Sequence, residues 1–389
     1  MADLMYLLLP IAMIGQLAIS VTIVNRLHSL GYPRWMLKIG DCFVYVFTAG
    51  LPIAAALWTL QHPIANRTST PTWLMLYLLA CYVAIFVFIG TRIYQYTLVR
   101  TTRRLLSNHT DVIDLRKRMG HRPTNDAFTT FCAELPLNEI LKISVREKTI
   151  RMPRLDPAVS GLRITHLSDL HMTGQLSKAF YEEIVAIANE APADLVAITG
   201  DIVEKVPCLD WIADTLGKLD SKLGVFFVLG NHERRIPDEA LVRNALTDCG
   251  LIDLGSSWQS VSHNDRPLVL GGNELPWYRP AADFSTSPAE IDGHRPLRIL
   301  LTHSPDQIEW ARENNCDLML AGHTHGGQVR LPIIGPILAP SRLGTRFASG
   351  TFYREPTLMH VSRGVAGTRP LRLNCQPEIA RLVLQTENE

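Results

Sequence analysis

Three stretches free of charged side chains, residues 4–24, 42–60 and 73–91, open this chain. A helix needs roughly 20 apolar residues to cross a hydrocarbon layer about 30 Å thick, and each stretch is near that length. Inside lipid a lone segment can satisfy its backbone only as a helix, so three transmembrane helices are expected. A cleaved leader fits the first stretch poorly: no basic region precedes it, Asp3 has the wrong sign, and two further spans follow. Arg26, Arg34 and Lys38 separate the first two stretches, Arg67 alone separates the next two, and Arg92, Arg100, Arg103 and Arg104 follow the third. Basic loops stay on the cytoplasmic side, so an integral, multi-pass protein with its C-terminal part in the cytoplasm is expected. Trp58, Trp73, Tyr94 and Tyr96 lie near span ends, where amphipathic rings suit either the headgroup level or helix packing.

Charge divides the remaining chain. The 389 residues carry a net +1, yet residues 1–91 hold 4 basic and 2 acidic side chains, 92–154 hold 13 and 6, and 155–389 hold 21 and 29. Three segments follow: an anchor over 1–91, a basic linker over 92–154 that ends in an edge strand near residues 141–146, and a globular domain over 155–389. The linker suits either anionic lipid or a solvated helix. The acidic excess of the globular part disfavours long polyanions, so nucleic acid is not an expected partner. Seven cysteines, odd in number and without C-x-x-C spacing, signal neither a disulfide framework nor a zinc knuckle, which fits a reducing compartment.

From residue 162 onward a pattern repeats: an apolar run of strand length ends in a cluster of ligand-type side chains. Residues 162–167 run into Ser168-Asp169-Leu170-His171, 195–198 into Thr199-Gly200-Asp201, and 225–229 into Gly230-Asn231-His232-Glu233. Residues 299–301 run into Thr302-His303, and 318–321 into Gly322-His323-Thr324-His325. In α/β folds ligands bind outside the carboxyl ends of strands, so these clusters should share one edge. One histidine after a strand is usually a hydrogen-bonded structural group. Together, four histidines, two aspartates and an asparagine supply nitrogen and oxygen donors enough for two metal ions. Two ions about 3.5–4 Å apart, joined by a shared carboxylate, suit displacement at phosphorus.

The clusters Asp169-Leu170-His171, Gly200-Asp201, Gly230-Asn231-His232-Glu233, His303 and Gly322-His323-Thr324-His325 resemble, in order and without omission, the signature of the calcineurin-like metallophosphoesterase superfamily. The resemblance covers about residues 162–384 and implies a four-layer α/β/β/α sandwich, here preceded by three transmembrane helices. It implies that Asp169, His171 and His325 hold one divalent ion, that Asn231, His303 and His323 hold the other, and that Asp201 bridges them. Manganese, iron or zinc suits such mixed coordination, with a metal-bridging water or hydroxide as nucleophile. His232, next to Asn231 but without an ion, is the expected catalytic group beside the scissile phosphate. Glu233 is expected to orient His232 or a ligand histidine, with Asp306 a weaker candidate for a similar task. Gly200, Gly230 and Gly322 would permit sharp turns beside the ions.

No lysine follows Lys222, and arginine's fork matches phosphate oxygens. Arg234, Arg330 and Arg363 are the expected substrate contacts because they flank the metal loops and the Ser362-Arg363-Gly364 turn. The apolar run through residues 329–338 reads as a strand and turn closing the sheet, or as the border of an acyl-chain groove. With the tail at 361–364 and 371–379 it is similar to the membrane-associated bacterial branch of the YkuE and YaeI type, some relatives of which cleave UDP-2,3-diacylglucosamine. The reading is a membrane-anchored phosphodiesterase or pyrophosphatase acting on a lipid-linked or nucleotide-linked substrate. A membrane scaffold that keeps the fold without the reaction is the rival; it predicts eroded ligands, and none is missing.

Overall fold

The computed structural model describes residues 2–62, 70–98 and 104–387. The chain divides into two compact units: Met1–Arg100 with Pro340–Arg346, and Thr101–Ala339 with Phe347–Glu389.

The first unit holds α1 (Ala2–His28), α2 (Arg34–Gln61) and α3 (Thr72–Leu98). Leu8–His28, Arg34–Gln61 and Thr72–Gln95 are long and apolar enough to cross a membrane. The second helix starts at Arg34, before the apolar stretch, and its Asp41 meets His28 Nε2 of α1 at 2.8 Å. α1 meets α3 closely at Gly15, where a Cβ would stand 2.1 Å from the Cys81 carbonyl oxygen. Small residues and interhelical hydrogen bonds hold helices together when apolar burial gives no preference. Here the Thr48 hydroxyl donates to Ser20 Oγ at 2.7 Å and the Gln16 amide to the Phe47 carbonyl at 3.3 Å. Trp58 is half-buried and stacks on His62, while Trp73 and Tyr94 are exposed. Arg67, Arg100, Arg103 and the Tyr96 ring lie outside the described residues.

The second unit begins with β1 (Leu105–Asp114), α4 (Leu115–Met119), α5 (Ala127–Glu134), β2 (Lys142–Arg151), β3 (Arg163–Leu167) and α6 (Lys178–Asn189). β4 (Leu195–Thr199), β5 (Val225–Val228), α7 (Glu239–Thr247), β6 (Ile252–Asp253), β7 (Trp258–His263), β8 (Arg266–Asn273) and β9 (Leu297–Thr302) follow. The remainder is α8 (Ile308–Glu313), β10 (Leu318–Ala321), β11 (Arg330–Leu331), β12 (Gly335–Pro336), β13 (Gly350–Arg354), β14 (Thr357–Val361) and β15 (Glu378–Gln385). One sheet has the order β1-β2-β15-β3-β4-β5-β6 and the other β13-β14-β10-β9-β8-β7, with β11 and β12 pairing apart. β3 to β6 run parallel, as do β8, β9, β10 and β14.

Side-chain alternation explains the layers, since successive strand residues face opposite sides. Leu195 and Ala197 of β4 and Phe226 and Val228 of β5 meet Leu268, Leu270, Ile299, Leu301, Leu318 and Leu320 of the other sheet. Their neighbours Val196, Ile198, Val225 and Phe227 face the opposite way, onto Phe180, Ile184 and Ile187 of α6 and Val242 and Leu246 of α7. On the far side of the second sheet, Gly271 leaves room for the Phe284 ring, which packs on Trp310 of α8 with centroids 5.9 Å apart. The α/β/β/α order is therefore present.

Two details differ from the sequence reading. Residues 105–151 are no linker: they supply β1 and β2, and the outermost strand is β1, so the strand expected at the edge lies inside the sheet. β1 escaped notice because its Ser107, Asn108, His109 and Asp111 are polar and exposed, as a protected sheet edge demands. The apolar run after residue 329 does not close a sheet; it forms the separate β11–β12 hairpin, and Leu331, Ile333, Ile334 and Leu338 are exposed.

Candidate metal centre

Five loops carry the ligand-type side chains, and all follow the carboxyl ends of parallel strands: β3, β4 and β5 in one sheet, β9 and β10 in the other. Donor atoms of Asp169, His171, Asp201 and His325 lie within 4.8 Å of one another, and so do those of Asp201, His303 and His323. Asp201 belongs to both groups. Asn231 Oδ1 approaches His303 Nε2, a member of the second group, at 3.2 Å. His171 Nε2 stands 3.1 Å from His325 Nε2, and His323 Nδ1 stands 3.2 Å from His303 Nε2. Ligand atoms about 2.0–2.2 Å from a common ion are spaced about 3.0–3.5 Å apart, so both groups fit a divalent cation.

The backbone is bent to achieve this. Asp169, His171, Asp201, His323 and His325 all adopt positive φ, between 46° and 69°. Such conformations are costly outside glycine and collect where function holds them in place. Gly322 serves by close approach: a Cβ there would lie 1.8 Å from Ser168 Oγ and 2.4 Å from Asp169 Oδ2. Gly322→Ala is therefore expected to displace Asp169 and to lower metal occupancy of the purified protein, measured by elemental analysis.

Electrostatics favour cations. Burial raises the Asp169 carboxyl, and neighbouring Asp201 adds to the rise. Burial opposes ionisation of Asp201 too, but His232, His303 and His171 outweigh it and hold that carboxyl well below the usual range. Burial would lower His303, yet Asp201 and Asp169 push it up to about 9, so the two carboxylates attract positive charge. Burial pulls His171 down to about 3 and, with His171 and Arg372, keeps His325 neutral and able to donate a lone pair.

Residues 162–327 match the calcineurin-like phosphoesterase family. Phosphodiesterase YaeI of Escherichia coli (strain K12) is 32% identical over 226 residues, which cover 57% of this chain and 82% of that protein. The chain belongs to the calcineurin-like phosphoesterases. The uncharacterized metallophosphoesterase YkuE of Bacillus subtilis (strain 168) is 28% identical over 252 residues, covering 63% of this chain and 87% of YkuE. A Danio rerio protein named transmembrane protein with metallophosphoesterase domain is 28% identical over 252 residues, covering 61% of this chain and 56% of that protein. As a calcineurin-like phosphoesterase, the chain is a metal-dependent phosphoester hydrolase.

In this phosphoesterase the surrounding residues only partly follow the sequence reading. His303 Nδ1 donates to the Thr199 carbonyl at 2.7 Å, which leaves Nε2 for the centre. Glu204, which the motifs did not suggest, receives His171 Nδ1 at 2.5 Å and His232 Nδ1 at 2.8 Å, and Arg235 pairs with its other oxygen. Its signal was a carboxylate three residues beyond Asp201 in the same loop. Glu233, expected to steer an imidazole, instead accepts main-chain N–H groups from Asp201, Ile202, Val203 and Gly230, tying the β4 loop to the β5 loop. The 3-10 turn Glu233–Arg235 directs its buried side chain that way. Glu204→Gln is expected to weaken metal affinity or turnover about 10–100-fold, read from metal titrations and steady-state rates, with Glu204→Asp recovering part of it.

The predicted substrate arginines are spread out. Arg234 is exposed in the turn beside His232, and Arg330 donates to Ser349 Oγ at 3.2 Å. Arg363 lies against the loop that carries His323 and His325: a Cβ on Gly326 would sit 3.0 Å from its Cγ. Asp306 is buried in the turn Pro305–Gln307 after His303. Arg372, not singled out from sequence, is fully buried and donates to the His325 carbonyl at 3.0 Å and to the Arg363 carbonyl at 2.7 Å.

Proposed function

We propose that this phosphoesterase holds two divalent ions, manganese, iron or zinc, and hydrolyses a phosphodiester or pyrophosphate in a lipid-linked or nucleotide-linked substrate such as UDP-2,3-diacylglucosamine. Asp169, His171 and His325 would hold one ion, Asn231, His303 and His323 the other, and Asp201 both. The observation that carries this reading is the membership of Asp201 in both donor groups, beside the Asn231 contact to His303. When bound, the pair supplies Lewis-acid polarisation and an activated water.

The protein's own groups supply position and proton transfer. His232 donates its backbone N–H to Asp201 Oδ1 at 2.8 Å, and Glu204 fixes its ring through Nδ1. Nε2 is thereby turned to the site, 3.9 Å from Asp201 Oδ2, where it protonates the leaving oxygen or stabilises the transferring group. Arg234, Arg330 and Arg363 remain the arginines proposed to bind the substrate beyond the scissile group. The relative named a phosphodiesterase supports the bond type, and the relative named a transmembrane protein supports a multi-pass anchor. Basic residues after the spans favour a cytoplasmic catalytic part, which a reporter fused after Glu389 tests.

The decisive assay uses the full chain in detergent with bis-p-nitrophenyl phosphate, UDP-2,3-diacylglucosamine and glycerophospholipids. Hydrolysis that chelation abolishes and added manganese restores is expected for at least one. Absence of turnover on all of them by metal-loaded protein would contradict the proposal.

A further inference from the structure

We infer that the β11–β12 hairpin is a lipid-surface element, its apolar tip seated at the boundary between headgroups and acyl chains. The tip is Pro332-Ile333-Ile334, and Ile333 is 90% exposed, with Leu331, Ile334, Leu338 and Leu343 exposed around it. Ile333 also adopts φ +66°, a position where turns place glycine or asparagine and where a β-branched side chain is strained. Neither turn chemistry nor a protein core explains isoleucine there. A clustered apolar surface of this kind marks contact with an apolar partner.

Charge and chain continuity identify that partner as a bilayer. Residues 318–354 contain no aspartate or glutamate, while Arg330, Arg342, Arg346 and Arg354 lie among the apolar residues, the composition that binds anionic lipid surfaces. Pro340–Arg346 belongs to the unit of the three apolar helices. Within that unit the Arg346 guanidinium lies 5.6 Å from the Tyr94 ring centroid and donates to its hydroxyl at 3.4 Å. Tyr94 stands at the end of the apolar window Thr72–Gln95, where a ring belongs at the headgroup level. Leu338 precedes Pro340 by two residues, a reach of at most about 7 Å.

The hairpin is also joined to the metal loop. A Cβ on Gly327 would lie 2.3 Å from Pro336 Cβ, and the Arg330 N–H donates to the Leu373 carbonyl at 2.9 Å. A tip held in lipid would therefore bring phosphodiesters of the headgroup layer to the loop that carries His323 and His325. This inference rests on reading the three helices as membrane-spanning, and its test separates the two.

The full chain is reconstituted in phosphatidylcholine and phosphatidylglycerol vesicles with p-benzoylphenylalanine placed singly at Ile333, Leu338, Leu79 or Asp265, irradiated, and its adducts are identified by mass spectrometry. Leu79 is exposed on α3 and Asp265 is exposed in the β7–β8 turn, so they report a lipid-facing and a water-facing position. Lipid adducts at Leu79, Ile333 and Leu338 but not at Asp265 are expected. Lipid adducts at Leu79 with only protein adducts or none at Ile333 and Leu338, or equal lipid labelling of Asp265, would overturn the inference and leave the membrane reading standing. No lipid adduct at Leu79 would overturn the membrane reading and the inference with it.

Discussion

Asp201→Asn is expected to lower turnover by about 10³-fold, the scale on which one preorganised charge contact acts in a water-excluded site. The variant keeps the side chain's shape but removes the negative charge that both donor groups share. Metal content should fall with rate. His232→Asn should behave differently: a proton donor or charge stabiliser contributes about 10²–10⁴-fold, so rate drops while metal content holds. Elemental analysis beside steady-state kinetics on the two variants separates holding the ions from acting on the substrate. Equal metal content and rate in the Asp201 variant and the parent protein would remove Asp201 from the centre.

Lys148→Met is expected to destabilise the second unit by about 3–5 kcal/mol, the cost of leaving a buried charge without its partner. Lys148 Nζ meets Glu378 Oε1 at 2.6 Å and His360 Nε2 at 2.7 Å, and His360 Nδ1 meets His166 Nδ1 at 2.9 Å, all buried. Burial alone would raise Glu378, but Lys148, His360 and Arg363 outweigh it and hold the carboxyl far below its usual range. Burial lowers Lys148 even though Glu378 draws it upward, so the pair itself adds little net stability and its rupture costs much. The double variant Lys148→Met with Glu378→Gln should therefore recover much of the loss. The depressed Glu378 contributes stability above the unfolded carboxyl range, and that contribution disappears as pH falls toward the folded value. Urea midpoints of the parent, single and double variants at neutral pH check the order.

The side chains of the two donor groups could be picked out because each sits in a short local motif directly after an apolar strand, where chemistry and position coincide. The sandwich was legible through the same strands, although the split of three into one sheet and two into the other is set by long-range pairing that no local pattern carries. The helpers were not legible. Arg372 reaches His325 from a different loop, and Glu204 and Arg235 are ordinary surface-type residues until the fold brings them together. Glu233 misled because adjacency to His232 suggested contact, whereas the 3-10 turn sends its carboxylate to main-chain N–H groups. β15 pairs parallel with β2 and antiparallel with β3, a placement no local pattern specifies. Residues 329–338 show the remaining gap: apolar content states that a segment avoids water, not whether protein or lipid covers it.

The most direct test of the account is the number of divalent ions bound per chain, measured by elemental analysis of the full-length protein after saturation and removal of loosely held metal. The account predicts two ions per chain, lost together in Asp201→Asn. One ion, or none, in the parent protein would contradict it.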